Sequence, residues 1–216
     1  MAQRQLHVVL GEFRRTVKEC RRFADDAHGW SLPGSGPNGD PLISIARRDS
    51  IVELAFLRGF LAWESFLEES FILHMLGKQP RRGRPPHRYV LPPNRKAALT
   101  MTGEGRDYAK WEVAGEVATR ATRFFRDGRP YTAPLRGAQS KLDNARMLRN
   151  AVAHRSEKAQ STFETLARNE LGGALPPGLT VGGFLNMPRP PTVPPESFLE
   201  YYLGILQLVA EQIVRP

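Results

Sequence analysis

Apolar residues recur at intervals of three and four along most of the chain, which is the spacing of one face of a helix. The spacing predicts helices over residues 3–28, 45–77, 106–127, 135–171 and 197–214. Two segments between them, residues 79–105 and 172–195, are rich in proline and glycine, which predicts long loops with at most a short helix around Ala97. Alternating strand patterns are nearly absent. The sequence therefore predicts an all-α bundle with two long loops, in a single domain over residues 1–216.

The second predicted helix, residues 45–77, is apolar on more than one face. Such a helix is either central in the bundle or buried twice, once in its own core and once against a partner. Its most apolar part, residues 51–76, is interrupted by Glu and Arg side chains that would be costly in lipid, so it does not predict a membrane span. Gly77 is expected to cap the C-terminal end of this helix.

The chain of 216 residues carries a formal net charge of +9, and most of its 31 basic residues are arginines. Arginine makes two-pronged contacts with phosphate, and neutralising phosphates releases counterions, so this charge favours a nucleic acid as partner. Biased genome composition is the alternative explanation. The single cysteine, Cys20, excludes an intrachain disulfide and fits a reducing compartment. Residues 1–10 lack the apolar core of a signal peptide, so we expect a cytoplasmic protein with no membrane partner.

The candidate chemistry lies in residues 149–154, which read Arg-Asn-Ala-Val-Ala-His inside the predicted helix over residues 135–171. They bring a permanent cation (Arg149), an amide (Asn150) and a side chain that titrates near neutrality (His154) within about one and a half helical turns. An imidazole moves protons and a guanidinium stabilises charge on phosphate oxygens, so the set suits catalysis on a phosphodiester. The alternative is that Arg149 is solvated and His154 is hydrogen-bonded within the core.

The spacing of Arg149 and His154 raises a geometric problem. Five positions on a straight α-helix turn through about 500°, which leaves the two side chains roughly 140° apart. They converge only if Arg149 reaches around the helix, if the helix kinks, or if a second copy of the protein completes the site. We favour the second copy, because it also explains the excess of apolar residues on the second helix.

With these residues and this order of helices, the chain resembles the HEPN superfamily, whose signature is an Arg, usually followed by a polar residue, and a His, with four to six residues between the Arg and the His. The resemblance is strongest over residues 142–163, and residues 51–76 are similar to the long second helix of the RiboL-PSP-type subgroup. It implies an HEPN-like bundle of four to five main helices that dimerises so that two motifs face each other across a cleft. It also implies a metal-independent endoribonuclease without a cofactor, in which Arg149, Asn150 and His154 are catalytic. Many relatives are thought to act as toxins or in defence against phage.

Other residues are expected to assist this site. Six basic residues in the first loop predict a segment that grips RNA, with a flexible solvated loop as the alternative: Arg81, Arg82, Arg84, Arg88, Arg95 and Lys96. Glu64, Arg155 and Ser156 are candidate supports. HEPN toxins silenced by a nucleotidyltransferase carry a Tyr two residues after the His, where this chain has Ser156, so the resemblance does not extend to silencing through a modified Tyr. An antitoxin or another regulatory protein stays open as a partner.

The residues leave further alternatives open. A non-catalytic HEPN-like module that binds RNA or a protein is the first of them, and a helical DNA-binding regulator is more distant, because no helix-turn-helix pair with a Gly turn is present. Residues 34–39 match the dinucleotide-binding fingerprint, but they follow a predicted helix instead of a strand. His74 lacks a second ligand at metal-binding spacing, so no metal site is expected.

Overall fold

The computed structural model describes residues 4–78, 85–103, 109–154, 156–190 and 195–214. Over these residues the regular secondary structure is helical, with two isolated β-bridges and no strand, so the predicted all-α class is confirmed. The helices are α1 (Leu6–Trp30), α2 (Ile45–Met75), α3 (Arg95–Gly103), α4 (Ala114–Phe124), α5 (Thr132–Gly137), α6 (Gln139–Ala153), α7 (Glu157–Leu171), α8 (Val181–Asn186) and α9 (Phe198–Val214). In this described part of the chain, no helix is both long and apolar enough to cross a membrane.

The longest helices follow the apolar spacing closely. The first, second and last predicted helices correspond to α1, α2 and α9, with ends that differ by a few residues at most. Gly77 has a φ of 76°, the left-handed conformation in which a glycine closes a helix, so the predicted cap is confirmed. The short helix expected around Ala97 is also present as α3, where the side chain of Asn94 accepts a hydrogen bond from the Ala97 amide at 3.0 Å.

Contacts divide the chain into two compact units, and the division falls within α1, α2, α6 and α9. The first unit consists of Met1–Arg15, Leu61–Asp143 and Ile205–Pro216, and the second of Thr16–Phe60 and Asn144–Gly204. Phe71 is central in the first unit: its ring lies 5.0 Å from that of Phe125 and 4.9 Å from that of Tyr131, measured between centroids. Such aromatic clusters contribute large buried areas together with preferred ring geometries.

The helix predicted over residues 106–127 is shorter in the structure, where α4 begins at Ala114 and ends at Phe124. Trp111 lies ahead of it, with its ring packed against Phe71 and under the guanidinium of Arg120, whose Cζ is 4.9 Å from the ring centroid. Arg120 also donates a hydrogen bond to the carbonyl oxygen of Lys110 at 3.3 Å. These tertiary contacts hold the segment outside the helix, which local spacing alone does not reveal.

A buried chain of hydrogen bonds links α2 to Tyr131, the residue just before α5, within the first unit. Nδ1 of His74 lies 2.7 Å from the hydroxyl of Tyr131, which donates to Oγ of Ser70 at 3.2 Å, and Ser70 in turn donates to the carbonyl oxygen of Leu67 at 3.2 Å. Among the described residues, Nε2 of His74 has no hydrogen-bond partner. Burial lowers the pKa of His74 to about 3, because an imidazolium would lose its hydration there.

Stability is therefore expected to fall at acidic pH through His74. The unfolded chain takes up a proton near pH 6.5 and the folded chain only near pH 3, so the unfolded state binds more protons in this window. The stability that the neutral His74 provides is fully present above pH 6.5. Between pH 6.5 and about 3, the free energy of unfolding falls by up to about 1.4 kcal/mol per pH unit. Denaturant unfolding of His74→Phe at several pH values should show a flatter profile than the wild type. An equally steep profile in both proteins would contradict the assignment, and the exposed His28, changed to Phe, is the control.

The prediction of one long helix over residues 135–171 is wrong, because this segment belongs to three helices, α5, α6 and α7. α5 ends at Gly137, and α6 ends at Ala153, so the motif is not in the middle of a helix. Ser156 is extended, with φ −84° and ψ 148°, and its hydroxyl accepts a hydrogen bond from the Ala159 amide at 3.3 Å. A serine in this position starts a new helix, and the N-cap accounts for the break.

The second predicted loop, residues 172–195, contains the short helix α8, which the sequence did not predict. Thr180 caps it: the hydroxyl accepts from the Gly183 amide at 2.9 Å and donates to the carboxylate of Asp49, on α2, at 2.8 Å. The amide of Gly182 donates to the carboxylate of Glu53, also on α2, at 2.9 Å. The carboxylate of Glu53 thus satisfies one first-turn amide of α8, and that of Asp49 holds the hydroxyl that caps the helix.

Phe184 anchors α8 in the core of the second unit. Its ring stacks on that of Phe198 at 4.3 Å and meets that of Phe163 edge-on at 5.9 Å, and all three side chains are fully buried. An aromatic side chain of this size accounts for a large apolar area removed from water. The described part of the predicted loop is therefore a packed segment of the second unit.

Candidate functional site

The end of α6 holds the candidate site, and all of it belongs to the second unit. Arg149 and Asn150 lie in the last part of the helix, which stops at Ala153. The amide of His154 still donates to the carbonyl oxygen of Asn150 at 2.8 Å, so the backbone follows the helix up to this point. His154 is therefore the first residue of the turn between α6 and α7.

Arg149 and Asn150 are both half-buried and contact each other. Nη1 of Arg149 donates a hydrogen bond to Oδ1 of Asn150 at 3.2 Å. Because an amide oxygen carries no net charge, this contact restrains the guanidinium without neutralising it. A restrained cation loses less side-chain entropy when it binds a phosphate than a fully mobile one does.

His154 is exposed to solvent. Within the described residues its imidazole makes no side-chain hydrogen bond, so the alternative of a core histidine does not hold. An exposed imidazole at a turn is accessible to a large substrate. A side chain that transfers protons to or from a substrate has to be accessible before the substrate binds over it.

The three motif residues are brought together only in part. The side chains of Arg149 and Asn150 touch, whereas no hydrogen bond between described residues joins the imidazole of His154 to either of them. α6 ends at Ala153, but the His154 amide still makes the helical hydrogen bond to the Asn150 carbonyl oxygen, so the separation of roughly 140° expected for a straight helix still applies. The helix therefore does not kink between Arg149 and His154, and completion of the site by a second copy stays a prediction.

The three predicted supports differ in their positions. Ser156 is the N-cap of α7, so its hydroxyl has a structural role beside the motif. Glu64 is half-buried on α2 and belongs to the first unit, whereas the motif belongs to the second. Its neighbour Trp63 is a core residue, stacked on Phe66 at 5.9 Å between ring centroids. Arg155 lies outside the described residues.

The predicted RNA-gripping cluster separates into members with different surroundings. Arg88 donates to the carbonyl oxygen of Met75 at 2.9 Å and lies over the C-terminal end of α2, where a cation is favourable. Arg95 forms a two-pronged ion pair with Glu69, and Lys96 is exposed in the first turn of α3. The other three arginines of the cluster lie outside the described residues: Arg81, Arg82 and Arg84.

A polar cleft between α6 and α7 adjoins the motif in sequence, and apolar spacing does not predict it. Its volume is about 340 Å³, and seven side chains line it: Asn144, Met147, Ser161, Thr162, Thr165, Leu166 and Asn169. Two amides and three hydroxyls surround the two apolar side chains. A signal is visible in the sequence once α7 is known, because Ser161, Thr165 and Asn169 recur every four residues, on one helix face.

A larger groove of about 690 Å³ lies in the first unit, between α5 and α9. Apolar side chains form most of its lining, including Leu208, and Arg129 and Lys141 add positive charge. None of the motif residues lines it. Across the described ranges, no group of three or more His, Cys, Asp or Glu side chains is placed to hold a metal ion.

Together the motif residues offer a cation, an amide and an exposed imidazole, which can stabilise phosphate charge and transfer protons. Comparison with known proteins adds no assignment: no family model, no curated protein and no solved structure matches this chain.

Proposed function

We propose that this chain is a metal-independent endoribonuclease of the HEPN type. The observation that carries the proposal is the end of α6 at Ala153, which leaves the imidazole of His154 exposed just beyond the helix that bears Arg149 and Asn150. The net charge of +9 supports an anionic polymer as the substrate. A role as a toxin or as an effector of anti-phage defence, held in check by an antitoxin or another regulatory protein, fits such an activity.

The reaction requires RNA for a chemical reason. The 2′-oxygen beside the scissile phosphate attacks phosphorus, the bond to the 5′-oxygen breaks, and the products carry 2′,3′-cyclic phosphate and 5′-OH ends. One His154 accepts the proton of the 2′-OH, and His154 of the partner subunit gives a proton to the departing 5′-oxygen. Each such transfer contributes about 10²–10⁴ in rate.

Arg149 and Asn150 act on the phosphate in this proposal. The guanidinium of Arg149 binds the non-bridging oxygens, on which negative charge grows as phosphorus becomes five-coordinate. One well-placed donor of this kind contributes about 10²–10³ in rate. The hydrogen bond of 3.2 Å from Arg149 to Asn150 supports a positioning role for the amide, because it restrains the cation beside the turn that starts at His154.

A homodimer would bring two such motifs together, and the surface of the second unit supports it. Phe23 on α1 is 43% exposed and Leu54 on α2 is 59% exposed. Arg58 on α2 pairs with Glu19 on α1 at 2.6 Å, and each apolar residue lies one helical turn from this ion pair. The Ile43 amide donates to the Trp30 carbonyl oxygen, so the start of α2 lies near the end of α1, and the Arg58–Glu19 ion pair holds the two helices side by side. A second copy would remove Phe23 and Leu54 from water.

Substrate chemistry provides the decisive test. We expect wild-type protein to cleave single-stranded RNA and to leave an all-deoxy strand of the same sequence intact, although it binds both. A strand with one ribonucleotide in a deoxy background should be cut only after that ribonucleotide. Gel analysis of end-labelled strands gives the cut position, and treatment of the products with a phosphatase and a kinase identifies their ends. Cleavage of the all-deoxy strand would contradict the mechanism.

A metal chelator serves as the control for the same assay, since the proposed groups need no metal ion. Cleavage should persist at full rate in its presence, and strict dependence on magnesium would contradict the proposal. Protein that binds RNA at several pH values without shortening it would favour the non-catalytic module instead. A chain that stays monomeric at the assay concentration would contradict the composite site.

A further inference from the structure

The cleft between α6 and α7 has the size and chemistry of a small-ligand pocket. Its volume of about 340 Å³ is near the lower end of the range for such pockets. Met147 and Leu166 supply an apolar surface, while Asn144 and Asn169 bring amides from opposite helices. Planar heterocycles with hydrogen-bonding edges need this combination, because their faces are apolar and their edges are polar.

One side of the cleft is held in place by a half-buried network of hydrogen bonds. Nδ2 of Asn144 donates to Oε1 of Glu170 at 3.1 Å, and the hydroxyl of Tyr202 donates to the same oxygen at 3.0 Å. Burial, and then the charge of Glu170, raise the pKa of Tyr202, so its hydroxyl keeps its proton. With its NH₂ group bonded to Glu170, Asn144 has its carbonyl oxygen as the acceptor for a ligand.

The other side of the cleft offers a complete amide. Asn169 is exposed, and its side chain presents both an NH₂ donor and a carbonyl acceptor. The hydroxyls of Thr162 and Thr165 donate to carbonyl oxygens of their own helix, at 2.8 Å and 2.9 Å, so they face a ligand as acceptors. An amide that donates to N7 and accepts from the 6-amino group matches adenine.

From these contacts we infer that the cleft binds a base of the RNA strand, with adenine preferred, and that Asn169 reads its edge. This inference rests on the proposed function, and it assigns to the cleft the recognition of one base of the RNA substrate. Met147 lies seven residues before His154, about 10 Å along α6. Stacked nucleotides are spaced by about 3.4 Å, so the base would lie about three nucleotides from the scissile phosphate, or fewer in an extended strand.

The test uses binding, so that it does not depend on cleavage. In the His154→Ala background, short single-stranded A-rich, U-rich and C-rich RNAs are titrated and their dissociation constants compared. We expect A-rich RNA to bind about five- to tenfold more tightly, in line with one bidentate contact in an open cleft. Asn169→Asp lacks the donor for N7 and should lose this preference.

The added negative charge of Asp weakens binding to every RNA, so a matched control is needed. Asn94→Asp places the same charge at the N-cap of α3, where Asp caps as well as Asn, and it should weaken all three RNAs equally. Equal affinity of the wild type for the three RNAs, or an unchanged preference in Asn169→Asp, would overturn the inference. Base preference without any RNA cleavage by the wild type would contradict the proposed function alone, whereas cleavage without base preference would contradict the pocket alone.

Discussion

His154→Ala is expected to lower the rate of RNA cleavage by about 10²–10⁴-fold, because the variant can neither accept the 2′-OH proton nor protonate the leaving oxygen. Since His154 is exposed and lies outside the helices, the variant should unfold at the same temperature as the wild type. Single-turnover cleavage of a labelled RNA measures the rate, and circular dichroism measures the unfolding. Cleavage at the wild-type rate in His154→Ala would reject the site.

Two further variants sharpen this result. His28 is also an exposed histidine of the second unit, at the end of α1, and His28→Ala should cleave at the wild-type rate. Arg149→Lys keeps the positive charge but loses the planar fork, so an intermediate rate is expected. A rate loss in His28→Ala as large as that in His154→Ala would mean that the assay reports general damage to the protein.

Gly182→Ala is expected to destabilise the protein by about 3 kcal/mol, or about 10 °C in melting temperature. A methyl group at this position would lie 2.1 Å from the carbonyl oxygen of Asp49 and 2.6 Å from its carbonyl carbon. Both atoms belong to the backbone of α2, so α8 has to move, and the hydrogen bond from the Gly182 amide to Glu53 is broken. Helix propensity alone favours Ala over Gly by about 1 kcal/mol. A loss of stability in Gly182→Ala would therefore come from the close contact with Asp49.

Gly173→Ala is the matched control for this substitution. Nothing lies within 4 Å of a methyl group placed there, and no left-handed backbone is required. The same change in side chain should therefore leave stability unchanged or raise it slightly, through the lower entropy of the unfolded chain. Thermal or denaturant unfolding of both variants gives the comparison. Equal stability of the two variants would show that the contact between α8 and α2 is not close.

The long amphipathic helices were predictable because local spacing and core burial agree in them. α1 and α9 present apolar residues every three or four positions, and these residues form much of the buried core. The end of α2 was predictable for a different reason, since Gly77 supplies the left-handed conformation that closes a helix. In these helices the local sequence alone is enough to predict the structure.

The elements that were missed depend on partners distant in sequence. α8 is six residues long, contains two glycines and is held by Asp49 and Glu53, which lie about 130 positions earlier. No periodic pattern can develop over such a length, so the segment suggested a loop. The late start of α4 has the same origin, because Arg120 and Phe71 hold Trp111 outside the helix.

The candidate site was predictable in composition but not in geometry. The identities of Arg149, Asn150 and His154 indicated phosphodiester chemistry, whereas the exposure of His154 depends on a helix end that the apolar spacing concealed. The signal was present in the N-cap Ser156 and the acidic first turn that follows it. For Arg88 no local signal existed, because its contact with the Met75 carbonyl oxygen requires knowledge of where α2 ends relative to the loop.

The N-cap at Ser156 also bears on how the proposed ribonuclease activity could be controlled. Its hydroxyl accepts the hydrogen bond of the Ala159 amide and thereby starts α7. Attaching a bulky nucleotide group to this oxygen would disturb the first turn of the helix next to the imidazole. Covalent addition of a group at Ser156 would therefore distort the start of α7 as well as block access to the motif. A reversible inhibitor that binds without forming a bond avoids that cost.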